Sequence, residues 1–79
     1  MKLEILGSGC AKCEALAGNV KAAVKALGIS ADISKVTDIL EIADRGALFT
    51  PALAVDGEIV IAGKSSSSEE IQKALKGRL

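Results

Sequence analysis

Apolar and polar residues alternate with two different periods along this chain, and each change of period marks an element boundary. Lys2-Leu3-Glu4-Ile5-Leu6 alternates and ends apolar, which predicts a strand. Gly7-Ser8-Gly9 breaks that strand and delivers the chain to Cys10. From Ala11 to Leu27 there is no proline, and Leu16, Val20, Val24 and Leu27 recur at helical steps. Lys12, Glu14, Asn19, Lys21 and Lys25 form the wetter side of this helix, and Gly28 is placed for a left-handed cap. Ile29-Ser30-Ala31-Asp32-Ile33-Ser34 alternates again, a second strand. Thr37 or Asp38 caps a short second helix, with Glu41 at the spacing of a capping box. Ile39, Ile42 and Ala43 supply its apolar side, and Gly46 ends it.

The second half reads as a hairpin followed by a helix. Asp56-Gly57 separates Ala52-Leu53-Ala54-Val55 from Glu58-Ile59-Val60-Ile61-Ala62, a strong signal for a tight antiparallel turn. Gly63-Lys64 leads the chain out of the sheet. The serines from Ser65 to Ser68 resemble a linker in composition, but Ser67 precedes Glu70 by a capping-box interval. Ile71, Ala74 and Leu75 then mark the buried side of a last helix. The first strand–helix–strand passage predicts a parallel pair with a right-handed crossover. The order is βαβαββα: an α/β fold with a four-stranded mixed sheet flanked by three helices, one domain over 1–79 with no internal repeat.

Composition narrows the function more than the fold. Of 79 residues, 49% are hydrophobic, enough for a core and too many for a disordered tail, although so short a chain has a thin margin of stability. Ten basic residues balance ten acidic ones and Phe49 is the one aromatic residue, which argues against a nucleic-acid surface. No apolar run approaches a membrane span, and Glu4 comes too early for a secretory leader. A soluble cytoplasmic protein, most simply a monomer, is expected. With no histidine in the chain, imidazole ligands and Cys-His nucleophile pairs are excluded.

The remaining chemistry lies in Cys10 and Cys13. A bridge between them encloses two residues and restrains little unfolded-chain entropy, so a structural staple is the wrong reading. At the first turn of a helix, unpaired N–H groups and the helix dipole favour a thiolate, lowering the Cys10 pKa below the free value of about 8.5. Lys12 adds to that effect and Glu14 partly opposes it. Their spacing puts the two sulfurs within bridging reach. Extending the buried stripe back from Leu16 arrives at Cys13, so Cys13 faces the core and Cys10 faces solvent. An exposed thiolate that attacks and a sheltered thiol that resolves are what disulfide exchange requires. Two alternatives stand beside this: small core residues without function, and a soft-metal site in which both thiolates hold an ion such as Cu(I). Zinc wants four ligands, and the chain offers two soft ones.

Gly7-Ser8-Gly9-Cys10-Ala11-Lys12-Cys13 after a strand, and Thr50-Pro51-Ala52 before a hairpin strand, resemble the thioredoxin-like family over the whole chain. The resemblance is strongest to the small redox-active disulfide proteins of bacteria and archaea. Heavy-metal-associated domains also place Cys-x-x-Cys after a first strand, but they usually carry Met where this chain has Ser8, and they end on a strand. The thioredoxin-like resemblance implies a cis Pro51 facing the cysteines, with the Thr50 backbone pairing to a bound substrate strand. A proline opening a strand forfeits no needed donor, in keeping with that placement. The ordinary alternative is a trans proline in a loop. Thioredoxins also keep a buried acid six positions before the nucleophile, where Glu4 stands; it is a candidate proton acceptor for Cys13, against the plainer reading of a solvated strand residue beside Lys2. The chain departs from thioredoxins in having Gly9 rather than Trp, and Ala11-Lys12 rather than Gly-Pro. Gly63 and the serine-capped helix only loosely match the glutathione-binding segment of glutaredoxins, and a helix cap is the simpler role.

The expected function is thiol–disulfide oxidoreduction: Cys10 attacks a disulfide in a protein or small-thiol substrate, Cys13 resolves, and an upstream reductase restores the dithiol. The cysteines carry the electrons, so no cofactor is required.

Overall fold

The computed structural model describes residues 1–7, 11–47 and 49–78. Along the chain run β1 (Lys2–Leu6), α1 (Ala11–Leu27), β2 (Asp32–Val36), α2 (Ile39–Asp44), β3 (Ala52–Val55), β4 (Glu58–Ala62) and α3 (Ser68–Lys76). The strands form one mixed sheet in the order β2-β1-β3-β4. β1 is parallel to β2, with Lys2 opposite Asp32, and antiparallel to β3, with Leu3 opposite Val55. The βαβαββα order and the mixed α/β architecture are those expected from the sequence.

The ends of the elements show why the sequence folds this way. Gly28 N–H donates to the Lys25 carbonyl and Ile29 N–H to the Val24 carbonyl, closing α1 with a Schellman cap. Ile29 is thereby drawn into the helix end. The second strand therefore starts at Asp32, later than the alternation from Ile29 implies, and Asp32 N–H bonds the Met1 carbonyl where β1 itself begins. Pairing can start only where the partner strand does, although Ile29, Ala31 and Ile33 all lean on the same core. In the β3–β4 hairpin Asp56 and Gly57 both have positive φ, 49° and 88°, as a type I′ turn demands. Its tip is tied to β1 by Asp56 N–H donating to the Lys2 carbonyl and Lys2 N–H to Asp56 Oδ1, each at 2.8 Å. Ser67 and Glu70 close the capping box that opens α3.

The two faces of the sheet are covered unequally. Leu3, Ile5, Leu53 and Val55 meet Leu16, Ala17, Val20 and Ala23 of α1 and Ile71 and Leu75 of α3 in the main core. On the other face Leu6, Ala52 and Ala54 meet Val36, Ile42 and Ala47. Here α2 differs from its sequence reading. Of Ile39, Ile42 and Ala43, only Ile42 is buried; Ile39 and its neighbour Leu40 are more than two-thirds exposed. Glu41 does not complete a capping box but pairs with Arg45, while Asp38 accepts from Leu40 N–H. A six-residue helix over alanines has room to bury one large side chain, not a full stripe.

Gly18 sits in the exposed interior of α1, where an added Cβ meets nothing within 4 Å. Gly18→Ala is expected to raise the unfolding free energy by up to about 1 kcal/mol, read as a higher urea midpoint at unchanged slope.

Candidate functional site

Gly7 continues β1 by one residue, its N–H donating to the Val36 carbonyl at 3.0 Å. A methyl group at Gly7 would overlap the Cys13 sulfur and come within 3.8 Å of the Pro51 Cα. The missing side chain thus leaves a hollow at the end of the central strand, filled by Cys13 from α1 and bordered by Pro51 from the start of β3. Cys13 is 5% exposed and sits on the first turn of α1, at the head of the stripe that continues through Leu16 and Val20. The Thr50–Pro51 peptide bond is cis. Pro51 is buried, while Thr50 is exposed beside it. The Pro51 carbonyl accepts from Gly63 N–H at 2.9 Å, fastening the start of β3 to the end of β4. Cys10 and its neighbours Ser8 and Gly9 lie outside the described residues.

Glu4 occupies a different position from the solvated one considered for it. It is 4% exposed, and strand alternation turns it away from Leu3 and Ile5, toward the face covered by α2. There Arg45 Nη1 donates to Glu4 Oε1 at 2.6 Å, and Arg45 Nη2 reaches Glu41 at 3.2 Å. The Arg45 hydrogen bond holds the Glu4 carboxyl below its ordinary range; burial opposes this, and the charges of Arg45 and Lys2 reinforce it. A carboxylate so held is a weaker base, and α1, which carries Cys13, covers the opposite face. The site brings Cys13 and Pro51 together at Gly7 and gives Glu4 to Arg45.

Two participants escaped the sequence. Arg45 lies 41 residues from Glu4, and no local periodicity links them. Gly7 was legible as a strand breaker, but not as the space for a sulfur atom.

A βαβαββα order with a cis-proline before β3, near a buried cysteine on the first helix, is the architecture of thioredoxin-like thiol–disulfide oxidoreductases. Comparison with known proteins agrees: residues 1–76 match the thioredoxin domain family, and the chain belongs to it. The chain is 47% identical to a thioredoxin of Methanothermobacter thermautotrophicus over 95% of its own length and 97% of the relative's. It is 49% identical to a thioredoxin of Methanocaldococcus jannaschii over 98% of its own length and 88% of the relative's. Disulfide reduction is thus its activity at the level of the family, and thioredoxins as a class act on disulfides and are themselves reduced by a reductase. These relatives lend no support to the soft-metal alternative at Cys10 and Cys13. Among the described residues no helix is long and apolar enough to cross a membrane.

Two measurements test this geometry. Gly7→Ala should destabilise the fold by about 1–3 kcal/mol, because the Cys13 sulfur has to move, and it should alter Cys13 reactivity. The depressed Glu4 pKa adds stability above its unfolded value near 4.5, and that stability is lost as pH falls through the lower folded value. Glu70, lowered mainly by its hydrogen bond from Lys64, acts in the same direction. Urea midpoints should therefore drop on acidification below about pH 4.5, and Glu4→Gln should remove part of that slope.

Proposed function

We propose that the protein reduces disulfides by dithiol exchange through Cys10 and Cys13. The Cys10 thiolate attacks one sulfur of the substrate disulfide, forming a mixed disulfide and releasing the other sulfur as a thiolate. The Cys13 thiolate then attacks the Cys10 sulfur, closing a Cys10–Cys13 bridge and releasing the second substrate thiol. Two electrons and two protons pass to the substrate, and an upstream disulfide reductase restores the dithiol. The observation that carries the reading is the sheltered Cys13 sulfur beside cis-Pro51, in a chain of the thioredoxin domain family.

The helix N-terminus supplies N–H groups and positive potential that favour the Cys10 anion. The exposed Thr50 is the backbone that pairs with the substrate strand, and Pro51 stands near the Cys13 sulfur. Glu4, held by Arg45 with a lowered pKa, is assigned to that ion pair rather than to accepting the Cys13 proton. The working direction is reduction, in a compartment that keeps thiols reduced, and the protein acts as a single chain.

With dithiothreitol as electron source, the wild type should reduce a protein disulfide. Cys10→Ser should abolish turnover, and Cys13→Ser should accumulate a mixed disulfide through Cys10. The alkylation midpoint of Cys10 should lie below about pH 8.5. The couple should have a potential near or below about −250 mV. One Cu(I) bound per chain without turnover would instead favour the metal reading.

A further inference from the structure

The helix α2 is held to the sheet by little. At six residues it is too short to persist alone, and it buries Ile42 while Ile39 and Leu40 point outward. Its second attachment is polar. Arg45, the residue that caps it, reaches down to Glu4 on the central strand β1 and across to Glu41. The backbone after α2 folds back on the helix, with Gly46 N–H donating to the Ala43 carbonyl and Ala47 N–H to the Ile42 carbonyl. Helix, cap and Ala47 therefore form one unit, and whatever anchors Arg45 anchors that unit.

This unit borders the reaction site. Ile39, Ile42, Ala43, Ala47 and Thr50 line a mainly apolar cleft of about 290 Å³. Thr50 is also the residue joined to cis-Pro51, which stands against Gly7 and Cys13. Thr50 thus joins the cleft to the cis-proline beside Cys13, and the occupant the inference commits to is the polypeptide flanking the disulfide of a protein substrate. A buried ion pair is a weak source of net stability, because the desolvation of both charges offsets their attraction. It does, however, fix a direction: one guanidinium forked between Glu4 and Glu41 sets the roll of α2 on the sheet.

We infer that Arg45 is a positioning residue for substrate binding, its ion pair with the buried Glu4 holding α2 and the Thr50 side of the cleft in register with Cys13 and Pro51. The inference rests on the disulfide-exchange reading above. It assigns Arg45 to binding and not to chemistry, so it separates KM from kcat.

The test compares wild type, Arg45→Lys, and the double variant Glu4→Gln with Arg45→Met, which leaves no unpaired buried charge. The assay is dithiothreitol-driven reduction of insulin. In the double variant KM should rise by about fivefold or more while kcat stays within about twofold; Arg45→Lys, which can still reach Glu4, should restore KM to within about twofold of wild type. Amide exchange at Ile42, Gly46 and Ala47 should accelerate by about tenfold in the double variant, with the β3 amides unchanged. An unchanged KM, or kcat and KM moving together with exchange raised across the whole sheet, overturns the assignment and leaves Arg45 a structural residue. If the double variant does not fold, a KM for Arg45→Gln no different from that of Arg45→Lys does the same. Loss of the disulfide-exchange reading itself is distinguishable, since wild-type protein would then fail to reduce insulin at all.

Discussion

Everything at the site depends on the absence of one side chain. Because Gly7 ends the central strand without a Cβ, the first turn of α1 can bring the Cys13 sulfur down onto the strand, beside the cis-proline that begins β3. A side chain at Gly7 would take the space of the Cys13 sulfur, which would have to move. The register of the sheet serves that convergence. β1 lies between β2 and β3, so its end is flanked by Val36, whose carbonyl binds Gly7, and by the segment that starts at Pro51.

The molecule divides its work between the faces of the sheet. The side under α1 and α3 is packed with large aliphatic residues and supplies the rigid platform on which Cys13 sits. The side under α2 is lined by alanines around Leu6 and Val36, and is completed by a short helix and the ion pair of buried Glu4 with half-buried Arg45. Ile39 and Leu40 on α2, and Phe49 next to Thr50 in the chain, are exposed. The densely packed half is the more tightly constrained of the two and the sparse one the less constrained.

Glu4 stands at a familiar spacing and has a partner that the spacing does not reveal. Its distance along the chain from Cys10 is that of the buried acid in thioredoxins, and it is indeed buried. Yet its pairing with Arg45 keeps it ionised and commits it to α2.

Local physics was legible in the residues. The alternation of β1, the long stripe of α1, the Asp56-Gly57 turn, the Ser67–Glu70 cap and the inward position of Cys13 each depend on neighbours within a few residues, and the βαβαββα order follows from them. The later start of β2, the outward turn of Ile39, the Arg45–Glu4 pair and the hollow at Gly7 were not. Each arises where segments far apart in sequence meet, and there the outcome is set by the space and charge that one segment leaves for another, which periodicity along a single segment does not encode.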